Sequence, residues 1–134
     1  MNNSRVNQLR IIIKTAAWLS ILLVFLVTIV PIGFRPSTGF SPNIERFGVM
    51  AVVGALFAAA YPRKFWLIVL GLSLAAAGFE LLQTFAGGRH PSVRDVGFKA
   101  IGAVIGAVLG YVVGAALAKA ETLPVTPPMA APDV

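Results

Sequence analysis

Residues 79–114 read FELLQTFAGGRHPSVRDVGFKAIGAVIGAVLGYVVG, which is two apolar runs joined by a short polar turn. Apolar runs of about 20 residues are long enough to cross a bilayer as helices. Glu80 and Gln83 nevertheless lie inside the first run, and Lys99 lies near the start of the second. The stretch therefore predicts two transmembrane helices whose polar ends meet at one membrane surface.

The composition of the chain indicates a membrane protein. Of its 134 residues, 57% are hydrophobic and 12% are charged, whereas ordinary soluble domains contain about 25% charged residues. The chain has no cysteine and one histidine, which excludes disulfides, thiolate metal sites and multi-histidine metal centres within one chain. We expect no cofactor. The net charge of +6 comes from basic residues scattered between apolar runs, a pattern typical of membrane anchors and not of nucleic-acid binding.

Four apolar runs define the predicted fold. They cover residues 15–32, 47–61, 65–86 and 96–118. The second run is short, but Ser41 and Pro42 form a typical helix start and Glu45 suits the first turn, so this helix gains enough length to span. The sequence thus predicts an all-α integral membrane protein, a bundle of four transmembrane helices with short loops.

The chain divides into three predicted parts. Residues 1–14 form a basic N-terminal segment, residues 15–119 the four-helix membrane domain, and residues 120–134 a proline-rich tail that we expect to be disordered. The first apolar run also follows basic residues, as a signal peptide would, but no small-x-small cleavage motif comes after it. We therefore interpret it as a retained helix.

The basic residues also predict the orientation in the membrane. With four spans, both termini lie on one side together with six basic residues, against at most five on the other side. Because an excess of Lys and Arg marks the cytoplasmic side, we expect both termini in the cytoplasm. The loops at 34–46 and 88–95 would then face outward.

Small residues recur with a period of four in two of the predicted helices. In the fourth helix they are Gly102, Gly106, Gly110 and Gly114, and in the second helix Ala51, Ala55 and Ala59. Small residues at this spacing let helix backbones approach closely in lipid. We expect the glycines to pack within one bundle, and the alternative is a homo-oligomer formed through the glycine face.

Glu80 is the most informative polar residue. It lies about 9 Å below the outer end of the third helix at 1.5 Å per residue, where a carboxylate is costly unless it is paired. Lys99 lies about one turn into the fourth helix at a similar depth, so a Glu80–Lys99 ion pair is geometrically feasible. A structural ion pair is one interpretation of Glu80, and a lysine that only extends to the interface is an alternative for Lys99.

The neighbouring polar residues complete a candidate functional cluster. Gln83 shares the face of Glu80, and Arg89 is suited to contact an anionic headgroup. Asp95 also has a structural interpretation, because Ser92 and Asp95 form a capping-box-like pattern and Asp95 precedes Lys99 by four residues. The candidate cluster comprises Arg46, Glu80, Gln83, Arg89, Asp95 and Lys99.

This pattern resembles the signature of VanZ-like membrane proteins. The positions that match in order and spacing are Glu80, Gln83, Arg89, Asp95, Gly102 and Gly106. Glu45–Arg46 is similar to an acid–base pair that opens an earlier helix in that family. Two positions depart from the pattern, since Lys99 stands where the family usually has Asn and Val49 where it often has His.

The resemblance implies a four-span protein of the bacterial cytoplasmic membrane. Through the namesake of the family it also implies an association with glycopeptide (teicoplanin) resistance, but it supplies no reaction. We therefore expect a non-enzymatic protein whose outward cluster binds an anionic lipid headgroup or a cell-wall precursor. The alternatives are a membrane enzyme with Glu80 or Asp95 as acid or base, for which no nucleophile–base pair is visible, a small oligomeric transporter, and an inert packing module.

Overall fold

The computed structural model describes residues 3–29, 39–85 and 92–122. These residues form α1 (Asn3–Ile29), α2 (Pro42–Ala60), a 3₁₀ turn (Pro62–Lys64), α3 (Phe65–Phe85) and α4 (Val93–Thr122). No strand occurs in the described ranges. All four helices are long and apolar enough to cross a membrane, which confirms the predicted class of an all-α membrane protein built from four transmembrane helices.

Two helices extend beyond the apolar runs of the sequence. α1 begins at Asn3, so the basic residues of the N-terminal segment lie on the same helix as the first apolar run. α4 continues to Thr122, because the stretch around Lys119 is rich in alanine and contains other strong helix formers. Residues 123–134, which make up most of the tail predicted to be disordered, lie outside the described residues.

The closest packing in the bundle joins α2 to α4. Four of the five glycines of α4 lie against the backbone of a residue 55 positions earlier in α2: Gly102 on Phe47, Gly106 on Ala51, Gly110 on Ala55 and Gly114 on Ala59. Because the partners advance together along both helices, α2 and α4 run parallel. A Cβ atom on Gly106 would overlap the carbonyl oxygen of Ala51, so the backbones approach more closely than any larger residue permits.

The glycine face is thus covered by α2 of the same chain, which is the intramolecular arrangement expected from the sequence. Gly54 on α2 adds a contact in the other direction, since its Cβ position falls on the backbone of Ala103. A homo-oligomer formed through the glycine face would require α2 to leave. Any association between copies of this chain must use another surface.

α3 and α1 close the bundle around a small apolar core. The buried core residues are Met50, Val53, Ile68, Leu72, Ala76 and Ala103, with Ile21, Val24, Phe57 and Tyr61 packed around them. α1 is attached mainly by aromatic contacts, because the rings of Trp18 and Phe57 lie 5.4 Å apart in an edge-to-face geometry and Trp18 Nε1 donates to the Tyr61 hydroxyl at 3.3 Å.

Most large apolar side chains point away from this core. Leu74, Leu109 and Val112 are each more than 60% exposed, a distribution that would be costly in water but suits a surface surrounded by lipid tails. The helices therefore hold together by close packing of small residues and by polar contacts, and not by a large buried apolar core.

Candidate functional site

Three helix ends meet at one end of the bundle. α2 begins there after Ser41, whose side-chain oxygen accepts from the Ile44 amide at 3.5 Å, with Pro42 at the first helical position. α3 finishes at the same end, and α4 begins there after Ser92. Antiparallel α3 and parallel α2 and α4 thereby bring polar residues from separate stretches of sequence to one level of the bundle.

Glu80 and Lys99 form a buried ion pair between α3 and α4. Lys99 Nζ lies 2.8 Å from Glu80 Oε2, and the two residues are only 7% and 5% exposed. The contact expected from their depths is therefore present. Lys99 points into the bundle and does not extend to the membrane interface, because its ammonium group is held by the carboxylate.

The second oxygen of Glu80 is also engaged. Glu80 Oε1 accepts a hydrogen bond at 3.1 Å from the backbone N–H of Ser92. This amide precedes the first turn of α4, where the N–H groups of a helix have no intrahelical partner and where negative charge is favoured by the helix dipole. Glu80 thus joins the end of α3 to the start of α4 with both of its oxygens.

Arg46 and Asp95 form a second pair closer to the surface of the bundle. Arg46 Nη1 lies 2.6 Å from Asp95 Oδ1, and their side chains are 19% and 17% exposed. Arg46 Nη1 also donates to the side-chain oxygen of Asn43 at 3.4 Å, within α2. This pair joins the start of α2 to the start of α4 and remains partly open on one side.

The structure changes the expected role of Asp95. Its backbone N–H donates to the Ser92 carbonyl oxygen at 3.0 Å, so Asp95 lies in the first turn of α4 as the capping pattern suggests. The expected i,i+4 pair with Lys99 is not among the ion pairs of the described residues. Instead Asp95 pairs with Arg46, and Lys99 pairs with Glu80. Both of these ion pairs join different helices, whereas an Asp95–Lys99 pair would lie within α4.

The remaining candidate residues are placed only in part. Gln83 lies on the last turns of α3, but its side chain is outside what the structure describes. Arg89 lies outside the described residues altogether. The structure therefore brings together four of the six candidates, namely Arg46, Glu80, Asp95 and Lys99, which we call the charged cluster.

Two participants in the charged cluster were not identified from the sequence. The donor of Ser92 is its backbone N–H, which the residue type does not reveal. Its position immediately before an apolar helix does indicate a donor without an intrahelical partner. Asn43 lies three residues before Arg46, a spacing at which side chains on a helix meet. That spacing was the available signal for the Asn43–Arg46 contact.

The charged cluster is electrically balanced, with two cations and two carboxylates. Within the described residues, no group of three or more His, Cys, Asp or Glu side chains is arranged to hold a metal ion. The arrangement offers instead a fixed guanidinium beside a fixed carboxylate, a partly open pair that can present a donor and an acceptor to one polar molecule.

Comparison with known proteins gives a family match. The family model described as VanZ/LLP1 matches residues 4–114, which include all four helices up to Gly114 on α4 and the complete charged cluster. No match was found among curated proteins or among solved structures.

Proposed function

The chain belongs to the VanZ/LLP1 family, and from this premise we propose that its charged cluster binds the headgroup of a phosphate-bearing lipid. The headgroup would be that of a phospholipid or of a lipid-linked cell-wall precursor. The binding surface lies on the outward side of a bacterial cytoplasmic membrane. The protein acts as a binding protein and not as an enzyme.

The Arg46–Asp95 pair is the observation that carries this proposal. Its two charged groups are held 2.6 Å apart by different helices and are partly exposed. A headgroup that carries a phosphate next to a hydroxyl or amino group can make two contacts here. Its phosphate accepts hydrogen bonds from the guanidinium of Arg46, and its hydroxyl or amino group donates to the carboxylate of Asp95. Phospholipids with glycerol or ethanolamine headgroups and sugar-linked polyprenyl pyrophosphates share this chemistry.

The buried Glu80–Lys99 pair has a supporting role in the proposed site. Both groups are almost fully buried and already bound to each other, so neither is available to a ligand. Together with the Ser92 amide, these two residues fix the start of α4. Asp95 is the third residue of that helix. The buried pair therefore sets the position of Asp95 relative to Arg46.

The same contacts favour binding over the alternative functions. A general base or a proton carrier needs a carboxylate oxygen that a proton can reach. Both oxygens of Glu80 are engaged, one by Lys99 and one by Ser92, so Glu80 does not meet this requirement. No specific observation favours the enzyme or the transporter.

The first test compares Arg46→Gln with Arg94→Gln. Arg94 is exposed on the first turn of α4, where it stacks on Phe98 at 5.9 Å, so its replacement removes the same charge from the same end of the bundle. We expect Arg46→Gln to weaken headgroup binding roughly tenfold or more, the loss of one charge-assisted contact, and Arg94→Gln to leave it within about twofold of wild type.

Binding would be measured by native mass spectrometry of detergent-solubilised protein titrated with defined lipids. Phosphatidylglycerol, phosphatidylethanolamine and a polyprenyl pyrophosphate serve as ligands, and phosphatidic acid serves as a phosphate without a neighbouring donor group. Equal losses in the two variants, or no loss in Arg46→Gln, would contradict the proposed site. Preference for the polyprenyl pyrophosphate over both phospholipids would identify the cell-wall precursor as the ligand.

A cell-wall precursor as ligand also predicts a phenotype linked to glycopeptides. Cells lacking the protein should then change their sensitivity to teicoplanin, and complementation with Arg46→Gln should fail where Arg94→Gln succeeds. Unchanged sensitivity would exclude the envelope response while leaving phospholipid binding to be decided by the titration.

The proposed orientation makes a separate prediction that uses the absence of cysteine from the chain. Phe40→Cys and Lys64→Cys place single thiols at exposed positions at opposite ends of the bundle. A membrane-impermeant maleimide added to intact spheroplasts should label Phe40→Cys at least tenfold more than Lys64→Cys, since a charged reagent does not cross the bilayer. After lysis both should be labelled equally, and the reverse pattern in intact cells would invert the topology.

A further inference from the structure

The second end of the bundle carries all of the net charge of the described residues. At the end with the charged cluster, the basic residues Arg46, Arg94 and Lys99 are balanced by Glu45, Glu80 and Asp95. The opposite end, which we call the basic end, holds Arg5, Arg10, Lys14, Arg63, Lys64 and Lys119. Among the described residues, Glu121 is the only acid there.

Part of the basic end is gathered around Tyr61. Lys14 on α1 lies with its Nζ 5.5 Å from the centre of the Tyr61 ring. Tyr61 is immediately followed by the 3₁₀ turn that contains Arg63 and Lys64, and Lys14, Arg63 and Lys64 are all exposed. Two separate stretches of sequence thereby place one cation over the ring of Tyr61 and two more in the turn that directly follows this residue.

The ring itself is held in place. The Tyr61 hydroxyl accepts from Trp18 Nε1 at 3.3 Å, and the Tyr61 backbone N–H donates to the Phe57 carbonyl oxygen at 2.9 Å at the end of α2. An ammonium group over an aromatic face remains charged and can still attract an anion. The cation–π contact also restricts the positions that the lysine side chain can adopt. The Lys14 ammonium group is therefore held beside Tyr61, the residue that directly precedes the 3₁₀ turn.

From this arrangement we propose that Lys14, Arg63 and Lys64 form a binding site for an anionic phospholipid of the leaflet at the basic end. Tyrosine and tryptophan side chains are typical of the depth at which lipid headgroups lie, and basic pockets between transmembrane helices suit phosphodiester headgroups. Within the described residues no ion pair joins these three cations to an acid, and their charge exceeds that of one phosphodiester, so a lipid with two phosphates is preferred to a lipid with one. This site is independent of the charged cluster, where cations and carboxylates cancel.

The test is a titration of the full chain in detergent with cardiolipin, phosphatidylglycerol and phosphatidylcholine, followed by native mass spectrometry. The triple variant Lys14→Gln/Arg63→Gln/Lys64→Gln should bind cardiolipin at least ~10-fold more weakly than wild type, since each basic residue near an anionic surface contributes several-fold. Wild type should bind cardiolipin more tightly than phosphatidylglycerol, and phosphatidylcholine least. The charge-conserving variant Lys14→Arg/Lys64→Arg should keep the wild-type affinity.

A matched control separates a defined site from diffuse attraction. Arg5→Gln/Arg10→Gln/Lys119→Gln removes the same charge from the same end, and its cardiolipin affinity should remain within about threefold of wild type. Equal losses in the two triple variants, or equal affinity of wild type for cardiolipin and phosphatidylcholine, would overturn the proposal. The loss of cardiolipin affinity caused by Lys14→Gln/Arg63→Gln/Lys64→Gln should be the same whether Arg46 is present or replaced by Gln, so this experiment and the test of the charged cluster can fail independently. Helicity measured by circular dichroism verifies that each variant is folded.

Discussion

Replacing Lys99 with methionine is expected to destabilise the folded protein by about 3 kcal/mol or more. Methionine preserves the length and apolar stem of the side chain but removes the ammonium group that lies 2.8 Å from Glu80 Oε2. Glu80, which is 5% exposed, would then be buried without its cationic partner and with the Ser92 amide as its remaining hydrogen-bond donor in the charged cluster. Removing one partner of a buried pair costs far more than the pair contributes, because the other charge is left without compensation.

The measurement is reversible unfolding of purified protein in mixed micelles, followed by tryptophan fluorescence and circular dichroism. Lys64→Met makes the same chemical change at an exposed position and should alter the unfolding free energy by less than about 0.5 kcal/mol. The double variant Glu80→Gln/Lys99→Met should be more stable than Lys99→Met alone, by about 1 kcal/mol or more, because the unpaired charge is gone. Strictly additive effects would show that Glu80 and Lys99 do not interact in the folded protein.

Gly106→Ala is expected to have the second large effect, although it adds a single methyl group. The new Cβ would overlap the backbone of Ala51 on α2. Backbone atoms cannot relieve an overlap by changing rotamer as a side chain can. α2 and α4 must therefore separate and lose their contacts at neighbouring positions. Overpacking of this kind costs about 1–3 kcal/mol, and Gly106→Leu should prevent formation of the α2–α4 contact.

Gly71→Ala and Gly78→Ala on α3 are the matched controls. Nothing lies within 4 Å of a Cβ atom at either position, so the added methyl group meets open space. Both variants should unfold at the same fraction of denaturing detergent as wild type or at a higher one, since alanine is the better helix former. If Gly106→Ala were as stable as these two variants, the close approach of α2 and α4 would be wrong. A disulfide between cysteines introduced at exposed positions along both helices would report the separation directly.

Much of the fold could be predicted from residues 79–114 and their flanks. A helix is the way in which a single apolar run satisfies its backbone hydrogen bonds in lipid, so four runs of sufficient length predict four helices. The start of α2 was also predictable, because Ser41, Pro42 and Glu45 provide local start signals that need no tertiary contact. The ends of α1 and α4 were less well determined, since helix formers on both sides of an apolar run extend the helix without changing hydropathy.

The Glu80–Lys99 pair of the candidate site was predictable from depth, but the Arg46–Asp95 pair was not. Glu80 and Lys99 lie at levels in their helices that permit contact, and their charges make contact favourable. Asp95 could have paired with Lys99 on its own helix, and only the rotation of α2 against α4 brings Arg46 within 2.6 Å of it. That rotation is set by Gly102, Gly106, Gly110 and Gly114 of α4, which must face the backbone of α2.

The sequence by itself therefore determined the number of helices, the class of the protein and the group of polar residues at one end. These properties follow from hydropathy and local spacing, which act within one helix at a time. The tertiary structure decided the parallel register of α2 and α4, the two interhelical ion pairs and the contact of Glu80 with the Ser92 amide. These depend on how helices distant in sequence are rotated against each other, and that rotation is fixed by packing that no single stretch of sequence contains.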